Sequence, residues 1–309
     1  MEKDMLSIIS NRKTKSLVEK TAAIIFRGCA VMSIIAVVSI TGYMIISGTP
    51  AIFKVGILDI LFGTVWAPTA ADPQFGILLI ILTSIIGVFL AICIGVPIGL
   101  FTAINLAELA NPKVRKIVKS AIELLAGIPS VVYGLLGILI ICPFMYRLEL
   151  LIFAGSKTHQ FAGGANLISA ILVLAIMILP TLINITETAL KAVPDDYRKS
   201  SLALGASQMQ TIFKVVLPSA KSGIVSAIVL GVGRAIGEAM AILLVAGNSV
   251  NLPLPFNSVR FLTTGIVSEM GYASGHTVKY FYDWISTNCL HHIINLILTF
   301  IIKRGDQHE

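Results

Sequence analysis

The chain has 309 residues, of which 56% are hydrophobic and only 13% are charged, and its net charge is +7. Soluble domains carry roughly 25% charged residues, so this composition excludes an ordinary soluble protein and indicates a polytopic membrane protein. The excess of Lys and Arg is expected in cytoplasmic loops rather than at a nucleic-acid interface, because no basic stretch is interleaved with aromatic residues.

Six apolar runs of bilayer length follow one another and predict an all-α bundle of six transmembrane helices. The first run follows a basic start and is too long for the apolar core of a signal peptide, so we interpret it as a retained anchor. The predicted spans are residues 28–47, 77–101, 121–143, 165–184, 223–246 and 284–302. They define a transmembrane domain over 28–302, a cytoplasmic N-terminal segment over 1–27 and a cytoplasmic tail over 303–309.

The loop charges predict how these spans are oriented. Seventeen of the 23 Lys and Arg residues fall in the N-terminal segment, the tail and the loops after the second and fourth spans. Five fall in the alternate loops, and the remaining one is Arg234. Because positive residues accumulate on the cytoplasmic side, we expect a multi-pass protein of a bacterial or archaeal plasma membrane with both termini in the cytoplasm.

The sequence contains no pattern that carries a chemical reaction. Its four cysteines are scattered without a CxxC pair, so neither a disulfide framework nor a metal site is expected. The Walker A, HExxH and GxSxG patterns are absent, and the dipeptide Gly-Lys does not occur. We therefore expect no catalytic residue, no cofactor and no ATP hydrolysis in this chain.

The loop between the fourth and fifth spans has the pattern of a helix, a glycine turn and a second helix. Pro194, Asp195 and Asp196 form a helix start, since acidic side chains are favourable near the positive end of a helix dipole. A short amphipathic stretch then runs to Gly205, and a second apolar group stops at Pro218. An interfacial helix lying on the membrane is the alternative interpretation of this pattern.

The same loop resembles the coupling loop of ABC importer permeases, whose consensus is E-A-A, three residues, G, nine residues and I-x-L-P. At that spacing this chain has Lys199, Ser200, Ser201, Gly205, Leu217 and Pro218. The resemblance implies that residues 195–218 dock in a groove of an ATPase subunit and transmit its motion. Lys199 replaces the consensus glutamate, so the polar contact of that glutamate is not carried over.

Three further stretches narrow the resemblance to the permease of the phosphate-specific ABC importer. They are ELLAGIPSVVYGLLG (123–137), LPTLINITETALKAVP (179–194) and RAIGEAMAILLVAGN (234–248). The last of them, with FGTVWAP, looks more like the C-type subunit than its A-type partner. The resemblance implies a type I permease bundle in membrane lipid, a sister A-type permease, two copies of an ATPase subunit and an extracytoplasmic phosphate-binding protein.

Arg234 and Glu238 stand in an otherwise apolar run of the fifth span. A charge at the centre of a bilayer costs roughly 3 kcal/mol, and residues at i and i+4 share one helix face, where they can pair. A purely structural ion pair is one interpretation. The other is a substrate pathway in which the guanidinium fork of Arg234 binds phosphate and Glu238 occupies it when phosphate is absent. The resemblance implies that both residues matter for transport.

The sixth predicted span is irregular. Residues 276–292 contain Lys279, Asp283 and three histidines, and only 293–302 is properly apolar. Ten helical residues rise about 15 Å, half of a hydrocarbon core. A local reading-frame excursion with compensating shifts and a divergent, half-buried last helix both remain open.

The sequence thus predicts the transmembrane permease subunit of an ATP-driven phosphate importer, with hydrolysis on a separate subunit. Sulfate and molybdate remain alternative cargoes, because charge complementarity does not separate these oxyanions. An ATPase-independent secondary transporter or channel is the alternative from a different class. Such a protein would have no use for the loop at 195–218.

Overall fold

The computed structural model describes residues 2–68, 70–156 and 159–270. Outside these ranges lie the sixth predicted span (284–302), the irregular segment 276–292 and the tail 303–309. The described chain is almost entirely helical, with one short two-stranded sheet. The fold class predicted from composition is therefore confirmed.

The helices follow one another with few long connections. They are α1 (Glu2–Val55), α2 (Ile57–Phe62), α3 (Leu78–Ile104), α4 (Pro112–Gly127), α5 (Ser130–Leu136), α6 (Cys142–Phe153), α7 (Leu167–Ala192), α8 (Asp195–Ala203), α9 (Gln208–Thr211), α10 (Leu217–Ser219), α11 (Lys221–Gly237), α12 (Met240–Val245) and α13 (Leu262–Met270). Strands β1 (Trp66–Ala67) and β2 (Gln74–Phe75) pair antiparallel. Single π-helical turns at Asn105–Leu109, Gly137–Ile141 and Ile212–Val216 extend α3, join α5 to α6 and join α9 to α10.

Four helical segments of the described chain are long and apolar enough to cross a membrane. They are Glu19–Tyr43, Leu78–Leu109, Ser130–Phe153 and Leu167–Ala192. A fifth crossing is formed if Gln208–Ser219 and Lys221–Gly237, which meet at a bend of 70°, act as one broken span. These segments correspond in order to the first five predicted spans.

The third span begins later than predicted, so the boundary at residue 121 is wrong. Ile128 and Pro129 have extended backbone and separate α4 from α5. A proline has no N–H to donate and disfavours helical backbone at the residue before it, so one helix cannot run through this pair. The Asn111 side chain caps α4 by accepting a hydrogen bond from the Lys113 N–H at 3.2 Å. The observed span therefore starts at Ser130.

The central helix of the bundle is α7, which packs against both α3 and α11. Small residues of α3 allow the closest approach: a Cβ atom on Gly95 would lie 2.7 Å from Ile178, and one on Gly99 would lie 3.1 Å from Leu182. Backbones separated only by glycine gain dispersion contacts that larger side chains would prevent. The helices α3 and α7 therefore form a closely packed pair at the centre of the bundle.

The hairpin of β1 and β2 is attached to α13 at the opposite end of the bundle from α8. Trp66 pairs with Phe75 across the strands, and its indole N–H donates to the Glu269 carboxylate at 3.2 Å. Arg260 forms an ion pair with the same carboxylate. The segment before α3 is thus held against the last described helix.

Candidate functional site

The fifth span is interrupted where the sequence predicts one continuous helix. Helix α11 ends at Gly237, and Glu238 has extended backbone with φ −75° and ψ 129°. A carboxylate oxygen of Glu238 accepts a hydrogen bond from the Ala241 N–H at 2.9 Å, and its carbonyl accepts one from the Thr263 hydroxyl at 2.6 Å. These two bonds fix the break between α11 and α12 and tie it to α13.

The prediction that Arg234 and Glu238 share a helix face is therefore wrong. The i, i+4 relationship holds only within one continuous helix, and the break after Gly237 removes it. Within the described residues no ion pair joins the two side chains. The Arg234 guanidinium donates instead to the Thr181 hydroxyl of α7 at 3.3 Å, while Glu238 caps α12.

Arg234 lies on an open side of the bundle. Its side chain is half-buried, and in the described part of the chain the hydrogen bond to Thr181 is the one that its guanidinium makes. A Cβ atom added at Gly233 or at Gly237 would have nothing within 4 Å. A guanidinium with one neutral partner and free space beside it has donors left for an oxyanion.

The predicted loop at 195–218 has the helix, turn and second helix that the sequence indicates. Helix α8 begins at Asp195, directly after Pro194, as expected. Gly205 has φ +88°, a conformation that L side chains rarely adopt, so the expected glycine-specific turn is confirmed. Ser207 and Gln210 then form a reciprocal capping box that starts α9.

The outer surface of this loop combines exposed polar residues with exposed apolar side chains. Lys199, Ser200 and Pro218 are exposed, and Leu217 packs partly against the core. The large exposed apolar side chains are Tyr197, Leu202, Leu204, Met209 and Phe213. Leu204 is 89% exposed. Several exposed apolar side chains in one polar loop are typical of a protein interaction surface.

One residue of α8 that the motif comparison does not single out points inward. The Arg198 guanidinium forms two hydrogen bonds with the Glu108 carboxylate, at 2.7 and 3.2 Å. Hydrogen bonding to Glu108 raises the pKa of Arg198 above its usual value, against the opposing effect of burial. No periodicity could reveal this pair, because its members are 90 residues apart in sequence.

Comparison with known proteins identifies the family. The sequence model of the family described as binding-protein-dependent transport system inner membrane component matches residues 95–278. The chain is 38% identical over 275 residues to the probable ABC transporter permease protein YqgH of Bacillus subtilis, covering 88% of this chain and 86% of that protein. It is 38% identical over 220 residues to the phosphate transport system permease protein PstC of Pasteurella multocida, covering 68% of each. The chain belongs to the binding-protein-dependent transport permeases, of the PstC type.

Solved structures agree with the fold of this permease. A bacterial alginate ABC transporter, solved in complex with an alginate-bound periplasmic protein, contains a chain that superimposes with a TM-score of 0.63. The match covers 92% of this permease and 94% of that chain at 15% identity, and it therefore concerns the fold alone. The permease is a multi-pass protein of the inner membrane. Its family argues against an ATPase-independent secondary transporter or channel.

Proposed function

We propose that this permease is the transmembrane subunit of an ATP-driven importer of inorganic phosphate. Its partners are a sister A-type permease, a pair of ATPase subunits that carry out hydrolysis and an extracytoplasmic phosphate-binding protein. Several relatives that span most of the chain are named as phosphate transport permeases. The distribution of Lys and Arg supports an orientation in which α8 and both chain termini are cytoplasmic.

We assign the binding of the anion to Arg234, and the names of the relatives supply its identity as phosphate. A phosphate anion in a low-dielectric path needs a compensating positive charge, and Arg234 is a cation in the fifth span that makes no ion pair within the described chain. Its planar fork matches the spacing of phosphate oxygens and stays charged at any cellular pH. Because Glu238 does not neutralise it, the guanidinium is free to attract the anion.

Glu238 has a different part in the pathway from the one that sequence spacing suggests. Its carboxylate caps α12 and thereby maintains the break in the fifth span that follows Arg234. In this role the pathway requires the hydrogen-bonding oxygen of Glu238 and not its negative charge.

The loop at 195–218 connects this permease to its ATPase. The exposed apolar side chains on α8 and on the turn after it supply the surface that docks in the ATPase groove, and the Gly205 turn sets the angle between the two halves of the loop. Lys199, Ser200 and Ser201 occupy the start of the consensus motif. Leu217 and Pro218 end the loop and return the chain to the membrane through the bend before α11.

The test is phosphate uptake by cells that lack their own importer and express this permease with its partners. We expect Arg234→Ala to lower uptake by about tenfold to a hundredfold, since a hydrogen bond to a charged group contributes about 1.5–3 kcal/mol. Arg234→Lys keeps the positive charge but not the planar guanidinium. Its phosphate uptake should lie between that of Arg234→Ala and that of the unmodified permease. Arg147→Ala, which removes an exposed arginine of α6, is the matched control.

Two results would contradict the proposal. Uptake by Arg234→Ala at the rate of the unmodified permease would remove Arg234 from the pathway. Inhibition of phosphate uptake by an equal excess of sulfate or molybdate would assign a broader oxyanion cargo. We expect unlabelled phosphate to compete and the other two anions to leave uptake unchanged.

A further inference from the structure

Helix α8 is attached to the bundle almost entirely by polar contacts. None of its nine residues, all of which the structure describes, is buried. Hydrophobic packing therefore contributes little to holding this helix in place. Whatever force it receives must pass through specific hydrogen bonds or through the chain itself.

Arg198 provides the most extensive of these contacts. Its guanidinium makes a bidentate bond with Glu108, in the π-helical turn that ends the α3 span. Exposure is only 19% for the arginine side chain and 10% for the carboxylate. A sheltered, bidentate pair of this kind is stronger and more directional than an ion pair on the surface.

The same guanidinium also holds the end of α7. It donates to the carbonyl oxygen of Leu190, in the last turn of α7, at 2.8 Å and to that of Val193, the residue directly after α7, at 2.7 Å. One side chain thus joins α8 to α3 and to α7, the two helices that form the closely packed central pair of the bundle. Lysine, with a single charged nitrogen, could not reproduce this arrangement.

Glu108 is contacted by the second half of the loop as well. The Gln208 side-chain amide donates to its carbonyl oxygen at 3.5 Å. Ser201 of α8 in turn shares a hydrogen bond of 2.9 Å with Thr211 of α9. The two halves of the loop are therefore bonded to each other, and both are bonded to Glu108 at the end of the α3 span.

We propose that Arg198 and Glu108 are positioning residues through which a displacement of α8 moves α3 and α7. This inference rests on the proposed docking of the loop on the ATPase. Neither residue belongs to the fifth span, to which we assign the anion. They make the exposed helix and the two spans move as one body, so that closure of the ATPase changes the transport path.

The test uses Arg198→Lys and Glu108→Gln in the complete importer, reconstituted in liposomes with its binding protein. We expect the ATPase to copurify with both variants. Stimulation of ATP hydrolysis by phosphate-loaded binding protein should be lost, and the phosphate transported per ATP hydrolysed should fall by about tenfold, as expected for loss of a charge-assisted bond. Lys113→Gln, which removes an exposed charge at the start of α4, should behave as the unmodified importer.

A double variant shows whether Arg198 and Glu108 act through their mutual bond or affect coupling independently. If the pair acts as one unit, combining Arg198→Lys with Glu108→Gln should cost no more than the more severe single change. Retention of normal stimulation and uptake by both single variants would overturn the inference. Loss of ATPase copurification in both variants would also overturn it, since the pair would then serve assembly alone. Failure of the unmodified permease to bind any ATPase would instead contradict the proposed function.

Discussion

Gly205 shows how a single backbone angle can control the shape of the proposed coupling loop. Its φ of +88° lies in the left-handed region, yet a Cβ atom added there would meet nothing within 4 Å. Any effect of a substitution must therefore come from backbone strain rather than from a steric clash. Strain of this kind costs about 1–2 kcal/mol for an L-residue and more for a β-branched one.

We expect Gly205→Val to reduce the stimulation of ATP hydrolysis by loaded binding protein, because the turn would relax and the two halves of the loop would change their angle. Gly205→Asn is the matched variant, since asparagine tolerates the left-handed region better than other residues with a side chain. It should keep most of the stimulation. Equal effects of valine and asparagine, with normal assembly, would argue against a conformational role for this glycine.

Some features of the site depend on neighbouring residues and can be predicted from the sequence. Others depend on contacts between distant segments and cannot. The glycine turn and the helix start after Pro194 depend on neighbouring residues, so they could be predicted from the sequence. The bond between Arg198 and Glu108 depends on the packing of distant segments, so no local pattern contains it. The assumed pairing of Arg234 with Glu238 was wrong because an i, i+4 rule presupposes a continuous helix.

At the scale of elements, the interrupted fifth span is the feature on which the proposed phosphate pathway depends. The break leaves Arg234 at the end of α11 and Glu238 in extended backbone ahead of α12. Gly237 at the last helical position weakens the helix where the break occurs. The Glu238 carboxylate then satisfies a backbone N–H that the new helix start would leave without a partner.

We expect Glu238→Gln to retain most of the phosphate uptake and Glu238→Ala to lose it. Glutamine keeps an oxygen that can accept the bond from the Ala241 N–H, whereas alanine removes the cap, a change that typically costs about 1 kcal/mol. Uptake measured alongside the amount of assembled importer separates transport from stability. If glutamine and alanine impair uptake equally, the charge of Glu238 matters and the cap does not.

The exchanged pair, Arg234→Glu with Glu238→Arg, provides an independent check on the same element. Since the native side chains do not pair, exchange restores no contact, and an arginine at 238 cannot cap α12. Assembly without uptake is therefore expected. Uptake near the normal rate would mean that the two charges act together and would contradict the separate parts assigned to them.

Element boundaries were the least predictable part of the fold. The apolar run at 121–143 looked continuous, but Pro129 divides it and leaves α4 as a separate amphipathic helix. Composition identifies apolar runs that fit a bilayer, and it does not show where the backbone changes direction within them. The second and fourth spans, which contain no such break, begin within two residues of their predicted starts.

At the scale of the whole molecule, the bundle has two ends that differ in chemistry. The end with α4 and α8 is rich in Lys and Arg, and the end with the β1–β2 hairpin has few. The predicted orientation places the first end in the cytoplasm and the second outside. Arg198, Glu108 and the exposed patch on the loop all lie at the first end.

A labelling experiment tests this orientation together with the corrected third span. In a background without native cysteines, Asp72→Cys in the hairpin should react with an impermeant maleimide added outside intact cells. Glu123→Cys, exposed on α4, should react only after the cytoplasmic side is opened, and Leu139→Cys within the third span should react poorly from either side. Protection of Glu123→Cys from both sides would contradict the start at Ser130 and support the start at residue 121 that the sequence predicts.

The polar attachment of α8 has a consequence for how such importers diversify. The residues that would meet an ATPase point outward, and the residue that fastens the helix to the spans points inward, so the two sets can change independently. New outward side chains could fit a different ATPase groove without disturbing the bundle, provided that Arg198 and Glu108 remain. Because α8 has no buried side chain, duplicated transporters can change its outer residues and pair with a different ATPase. The transport path within the bundle stays the same.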